Sequence, residues 1–427
     1  MMKGTLVIAV VISSVYALSA QAAEFPKWHG FVEQAYAGRI SQDRLTKHQD
    51  YNMLEQRVQL KTRYAIPGEN LLSHWNSVAT YKGDFLLDEY FDTTGSYEVR
   101  ELNLAFSPTR IIDIKAGRQV LTWGTGDYLF INDLFPKDYV SFYIGRDDEY
   151  LKKPSDALRI SLYPKAVNID FALIPHFTPN TMPEGDRLSF FDSFQRGITG
   201  RASERNAVKP AWQTENMQYA LRLYRTFGST EGALYYYRGF DPSPRSYLDE
   251  ANRQLFYERL DAYGASVRGS FTGGIGNAEI GYYRSRQDAE GNNRLIENSI
   301  LKWLIGYEKD LGNDLKAGAQ YLFEQKLDYA AYKDALLSSD YFWDEYRHLL
   351  TQRITKLYKN QTVMVGLFNF WSPSDKDGYA RASCAYDVTD QWKLTFGVNI
   401  PWGEDSITDF GMMKKNENAF VRVRYSF

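Results

Sequence analysis

The histidines are the first place to look for chemistry: His29, His48, His74, His176 and His348. None forms an H-E-x-x-H run or a close pair, the spacing that lets two imidazoles grip one zinc ion, so no metal site is expected. Cys384 is the sole cysteine. This excludes a disulfide framework, a Cys-based metal site and haem attachment through C-x-x-C-H. No G-x-S-x-G turn is present to expose a hydrolase serine. A serine hydrolase needs an imidazole within hydrogen-bond reach of its hydroxyl, and His348, near the rim of its segment, is the one loose candidate. Acids gather at loop tips without EF-hand spacing. The expectation is a protein with no catalytic residues and no cofactor, whose charges serve another purpose.

Composition says what positions those charges. The 427 residues are 44% hydrophobic, 24% charged and 15% aromatic, with 32 Tyr and 25 Phe and a net charge of −3. Mean hydropathy is −0.46 and the pI about 6.1. Past the N-terminus no run of ~18 apolar residues could form a membrane helix. Abundant aromatics and small net charge exclude disorder. With no dominant basic block, no nucleic acid is expected as a partner. A transmembrane β-barrel fits, because half of each strand is polar and its mean hydropathy hides the membrane.

Residues 1–22 read as a secretory signal: Lys3, an apolar stretch Leu6–Leu18, and Ala20-Gln21-Ala22 as a cleavage site. The remainder, 23–427, is expected to be one domain. Its pattern has period 2. In Leu54–Tyr64 one face carries Leu54, Val58, Leu60 and Tyr64, and the other Glu55, Arg57, Gln59, Lys61 and Arg63. The same alternation recurs at Leu301–Tyr307, Leu315–Phe323, Trp392–Ile400 and Val421–Phe427. Such stretches run ~9–11 residues, the length a tilted strand needs to cross a bilayer. A secreted soluble sandwich or solenoid is the competing fold.

About eighteen strands can be counted, with sixteen possible if 156–163 and 166–175 are misread. Short turns such as Ser107–Arg110, Pro164-Lys165 and Thr389-Asp390 alternate with long connections at about 122–155, 176–215, 241–259, 286–297, 326–346 and 402–417. That alternation is the one expected of an all-β antiparallel barrel with short periplasmic turns and long outer loops. Residues 65–75 are long for a periplasmic turn and 372–377 short for an outer loop. The chain closes on Tyr425 and Phe427, which resembles the C-terminal signal read by the outer-membrane assembly machinery.

Gly117-Arg118-Gln119 leading to Trp123-Gly124, then Phe135-Pro136-Lys137-Asp138, Ser372–Asp377 and Arg422–Phe427 extend this likeness. On them the chain resembles the porin-like outer-membrane barrels of Gram-negative bacteria, and more narrowly those of the alginate-export type. The resemblance implies an outer-membrane channel for a small solute or polymer. It carries over no functional residue. A homo-oligomer in outer-membrane lipid is compatible with it.

Charge on the lipid face would cost ~2–4 kcal/mol for each mid-membrane Lys or Arg, so charges are assigned to the lumen. The basic wall then comprises Arg57, Lys61, Arg63, Lys82, Lys115, Arg159, Arg222, Arg268, Lys302, Lys316, Arg353, Arg381, Lys393, Arg422 and Arg424. Acids on it are fewer: Glu55, Asp84, Glu101, Asp113, Asp170, Glu279, Glu308, Glu324 and Asp387. A net basic wall concentrates anions. Alternatively the acids and bases pair across strands and only stiffen the wall. The 122–155 connection is too apolar to stay solvated. It is expected to fold into the lumen as a constriction, with Tyr128, Phe130 and Phe135 packed and Arg146, Asp147, Asp148, Lys152 and Lys153 at the eyelet; a lid over the other outer loops is the alternative. Residues 176–215 read as an extracellular flap. The expected function is diffusion of small, anionic solutes through a channel narrowed by this loop. The alternative is a structural or export barrel serving a polymer-export or electron-transfer partner.

Overall fold

In a computed structural model of the chain, residues 26–67, 71–89 and 95–427 are described, so the expected signal segment lies outside them. Alternating polarity produces eighteen long strands. They are β1 (Trp28–Arg39), β2 (Tyr51–Ala65), β3 (Val78–Asp88), β4 (Ser96–Thr109), β5 (Ile112–Val120), β6 (Pro154–Leu162), β7 (Asn168–Ile174), β8 (Gln218–Phe227) and β9 (Thr230–Phe240). The rest are β10 (Arg259–Phe271), β11 (Gly274–Ser285), β12 (Ile300–Asp310), β13 (Leu315–Lys326), β14 (Tyr346–Tyr358), β15 (Val363–Ser372), β16 (Asp377–Asp387), β17 (Trp392–Gly403) and β18 (Asn418–Ser426). Each pairs antiparallel with its chain neighbour, and β1 pairs with β18, so one 18-stranded sheet closes on itself. Gly30 and Phe427 exchange backbone hydrogen bonds, each 3.0 Å, at the seam. Closure leaves no strand edge unpaired in hydrocarbon.

The outward face is apolar. Leu87, Leu102, Leu234, Val267, Ile280, Ile305, Leu367, Phe396 and Val423 are all exposed there. Aromatics mark the strand ends, as interfacial girdles do: Trp28 lies beside Tyr81 at 5.7 Å, and Trp392 beside Tyr425 at 5.0 Å. Cys384 shares this face, opposite the row of Tyr379 and Arg381.

With the start of β1 and the end of β18 on the short-turn side, the connections sort by length. The two irregular ones have local reasons. The 66–77 connection holds a short helix, Leu71–His74, and Trp75 stacks on Phe106 at 5.4 Å. The tight outer turn after Ser372 is pinned: Ser372 Oγ donates to His348 O at 2.8 Å, and Asp375 accepts from Arg347 at 2.6 Å.

Candidate functional site inside the barrel

The segment between β5 and β6, residues 121–153, touches strands all round the sheet. Only a position inside the barrel allows this. Its apolar residues Leu129, Ile131, Phe142, Tyr143, Ile144 and Leu151 form one buried cluster with Met53, Leu304, Leu322, Leu349, Phe368, Phe370, Tyr379 and Phe420 of the wall. Tyr128 meets Phe368 edge-on at 4.8 Å, and Phe135 meets Trp123 at 5.1 Å. Phe130 packs at the cluster's edge, under the Lys137 ammonium at 4.5 Å. On the β8–β10 side the seam, lined by Trp123, Phe135 and Tyr237, leaves a cavity of only about 10 Å³.

Two glycines make room for the segment. A Cβ on Gly264 of β10 would lie 1.7 Å from Asn132 Oδ1, and one on Gly281 of β11 would lie 2.6 Å from the Ile131 side chain. Between them Glu279 accepts from Gly126 N at 2.7 Å and from Asn132 Nδ2 at 2.9 Å. A helix, Tyr139–Ile144, crosses the interior. Its first turn is capped by Asp138, which accepts from Ser141 N at 3.0 Å. Its last carbonyls would be orphaned in a dry interior; wall side chains satisfy them. Tyr379 donates to Phe142 O at 3.0 Å and Asn418 to Tyr143 O at 2.8 Å.

The charged end of the segment is spent on the wall and, for its two lysines, on the connections inside it. Arg146 donates to both Glu55 carboxylate oxygens at 3.1 and 3.0 Å. Asp147 accepts from Arg422 and Arg424, each at 3.1 Å. Asp148 accepts from Arg381 at 3.0 Å and from the Tyr128 hydroxyl. Lys152 reaches the Thr122 hydroxyl and lies 3.7 Å from Asp133, while Lys153 donates to Thr181 Oγ1 at 2.7 Å. Burial opposes the charge on Arg146, yet Glu55, Asp138 and Asp88 outweigh it and push its pKa up. Burial likewise opposes the charges on Asp147 and Glu149. The arginines beside Asp147 and Lys82 beside Glu149 prevail and hold both below the ordinary carboxylate range. Lys137 is the reverse case: burial outweighs Asp133 and lowers its pKa.

The wall bases are mostly paired. Arg57 meets Asp84 at 2.8 Å, Lys82 meets Glu149 at 2.6 Å and Lys115 meets Glu101 at 3.4 Å. Arg159 and Arg222 share Asp170 at 3.1 and 3.8 Å. Lys302 meets Glu324 at 2.6 Å, Arg353 meets Asp127 at 2.8 Å and Lys393 meets Asp387 at 3.1 Å. Arg424 also takes Glu33 at 2.8 Å. Arg268 reaches only the Thr125 carbonyl, at 3.5 Å. Lys61, Arg63 and Lys316 have no acidic partner among the described residues. By strand direction these four lie toward the short-turn end. They share strand faces with Gln59, Ser266 and Gln320, which point inward: Gln59 meets Tyr150, Gln320 accepts from Asp127 N and Ser266 meets the Tyr235 hydroxyl.

Several contributors were not legible beforehand. Arg100 and Arg57 clasp the Tyr150 ring at 4.7 and 4.0 Å. Glu33 and Asp127 are further acids that pair with wall bases, Arg424 and Arg353. The 175–217 connection does more than form an outer flap. Leu188 and Phe190 enter the central cluster, and Arg187 donates to Asn52 O at 2.8 Å and contacts Asp88. Its apolar residues seek the same shelter as those of the first segment. His348 points outward, its Nδ1 2.6 Å from the Tyr321 hydroxyl, within the aromatic girdle. No group of three His, Cys, Asp or Glu that could hold a metal occurs among the described residues.

No family model matches the chain, and no curated protein matches it. Solved structures do. OccD3 (OpdP) of Pseudomonas aeruginosa superposes with a TM-score of 0.56 at 9% identity, covering 95% of this chain and 92% of its own. OccK11 (OpdR) of the same organism gives 0.55 at 9% identity, covering 94% and 96%. A mutant porin of Rh. blastica gives 0.41 at 10% identity, covering 94% and 100%. These structures do not show the narrower alginate-export likeness. A closed antiparallel barrel with an apolar, aromatic-rimmed exterior spans the outer membrane; this chain is an integral outer-membrane barrel with the porin fold.

Proposed function

We propose that this barrel is a channel for diffusion of small anionic solutes across the outer membrane, narrowed by the 121–153 segment. The observation that carries the reading is that segment's position, ion-paired to the wall on several sides at one level. The anion preference rests on Lys61, Arg63, Arg268 and Lys316, which form no ion pair among the described residues. Unneutralised charge in a low-dielectric wall concentrates counter-ions. The paired bases contribute rigidity rather than potential. Tyr425 and Phe427, at the closing seam, serve as the assembly signal in this reading.

Reversal potentials in planar bilayers under a salt gradient test it. Anion selectivity is expected, moving toward cations in Lys61→Gln/Arg63→Gln/Lys316→Gln. Cation selectivity of the unaltered chain would remove the anionic part. A folded barrel without conductance would remove the channel and favour a sheath for an exported polymer or electron-transfer partner.

A further inference from the structure

The outward face of β9, β10 and β11 is layered. Leu234, Ala265 and Ile280 lie in one cross-strand row, and Tyr236, Tyr263 and Tyr282 in the row above. The tyrosine rings are spaced 5.2 and 6.3 Å apart. Arg238, Asp261 and Arg284 form the next row toward the long loops. Above them Phe240 pairs with Arg259, and Arg286 N donates to Arg259 O at 3.0 Å. Hydrocarbon, interface and headgroup layers are thus written in order on the barrel wall.

Four arginines here face one acid. Asp261 is buried and is approached most closely by Arg238 Nε at 3.9 Å and Arg286 Nε at 3.8 Å. The terminal guanidinium nitrogens, which form the fork that grips phosphate, therefore lie farther from it. Arg259 is held by Glu215 O at 3.1 Å and Asn216 Oδ1 at 2.6 Å. Arg284 is exposed, with no acidic partner among the described residues. Elsewhere on the same rim the charges balance: Arg118 meets Asp156 one to one at 3.4 Å. The surplus is local to β9–β11.

We propose that this patch docks the phosphorylated headgroup of an outer-leaflet glycolipid, its acyl chains lying on the Leu234–Ile280 row and its sugar on the tyrosines. Charge complementarity and the layer order select a lipid over a soluble anion, because a lipid presents phosphate just above an apolar surface. Binding should follow the phosphates and the two arginines of the row that flanks Asp261, Arg238 and Arg284.

The purified full chain, in detergent, would be titrated with a bisphosphorylated acylated disaccharide of the lipid A type and with its dephosphorylated form, and scored by native mass spectrometry. The phosphorylated form should bind preferentially. Arg238→Gln/Arg284→Gln should weaken it about thirty-fold, the product of two surface arginines' contributions, with heat-modifiable mobility and bilayer conductance unchanged. Asp261→Asn, which removes the acid, should tighten binding. Equal binding of the two lipids, or no change in the double variant, overturns the proposal. Full competition by millimolar inorganic phosphate would also overturn it, by assigning the patch to a free anion.

Discussion

Glu258 lies immediately before β10 with Asp241 and Glu297 near it. Its side chain accepts from Ser246 Oγ at 2.9 Å. Burial, then the two neighbouring acids, push its pKa up to about 9, against Ser246 and Arg245. The folded state thus binds this proton more tightly than the unfolded chain does. Its stabilising contribution is complete below the ordinary value of 4.5 and is lost as pH rises toward 9. Melting temperature should fall between pH 5 and pH 9, and Glu258→Gln should flatten that slope. Arg146 is a second decisive residue. Arg146→Ala leaves Glu55 buried with only Arg187 at 3.4 Å and Arg57 at 3.6 Å. Breaking such a pair costs ~3–5 kcal/mol, toward the lower figure here because two cations remain. Hydrogen exchange in the 121–153 segment should quicken accordingly. Which bases would be neutralised was not readable from strand patterns, since Asp147, Asp148 and Glu149 arrive from a connection with no period.

At the scale of elements, the wall and the inward segment are fitted to each other. Gly281→Val places two methyl groups where Ile131 packs. Overpacking of this kind costs ~1–3 kcal/mol, and it falls on the segment rather than on the strands. Single-channel conductance should rise in Gly281→Val, and more in a deletion of 128–145; unchanged conductance in both would count against a constriction. The strand pattern was legible here because alternation sets each strand's faces locally. The glycines' purpose was not, because a missing side chain has meaning only once its neighbour across the lumen is known.

At the scale of the molecule, the outward face carries two amide pairs at mid-strand. Gln34 lies opposite Gln56 on β1 and β2, and Gln352 opposite Asn369 on β14 and β15. Amides facing hydrocarbon favour protein partners. A groove of about 350 Å³ lined by Val32, Gln34, Trp392, Val423 and Tyr425 adjoins the first pair. A second copy of the chain is the partner we expect. Cysteines placed at Gln34 and Gln352 should cross-link copies in membranes, and Gln34→Leu/Gln352→Leu should weaken the oligomer on mild-detergent gels.

From its residues alone, this chain declared a barrel of about eighteen strands and the side of the clearest strands that meets lipid. Those properties follow from period-2 alternation and turn chemistry, which act over a dozen residues. The outward arginines at the rim escaped that logic, because charge is expensive at mid-membrane but tolerated among headgroups, and height in the bilayer emerges only when strands are in register. Only the closed barrel decided which acid meets which base and how far the interior is filled. Those contacts join residues hundreds of positions apart, and no local pattern encodes them.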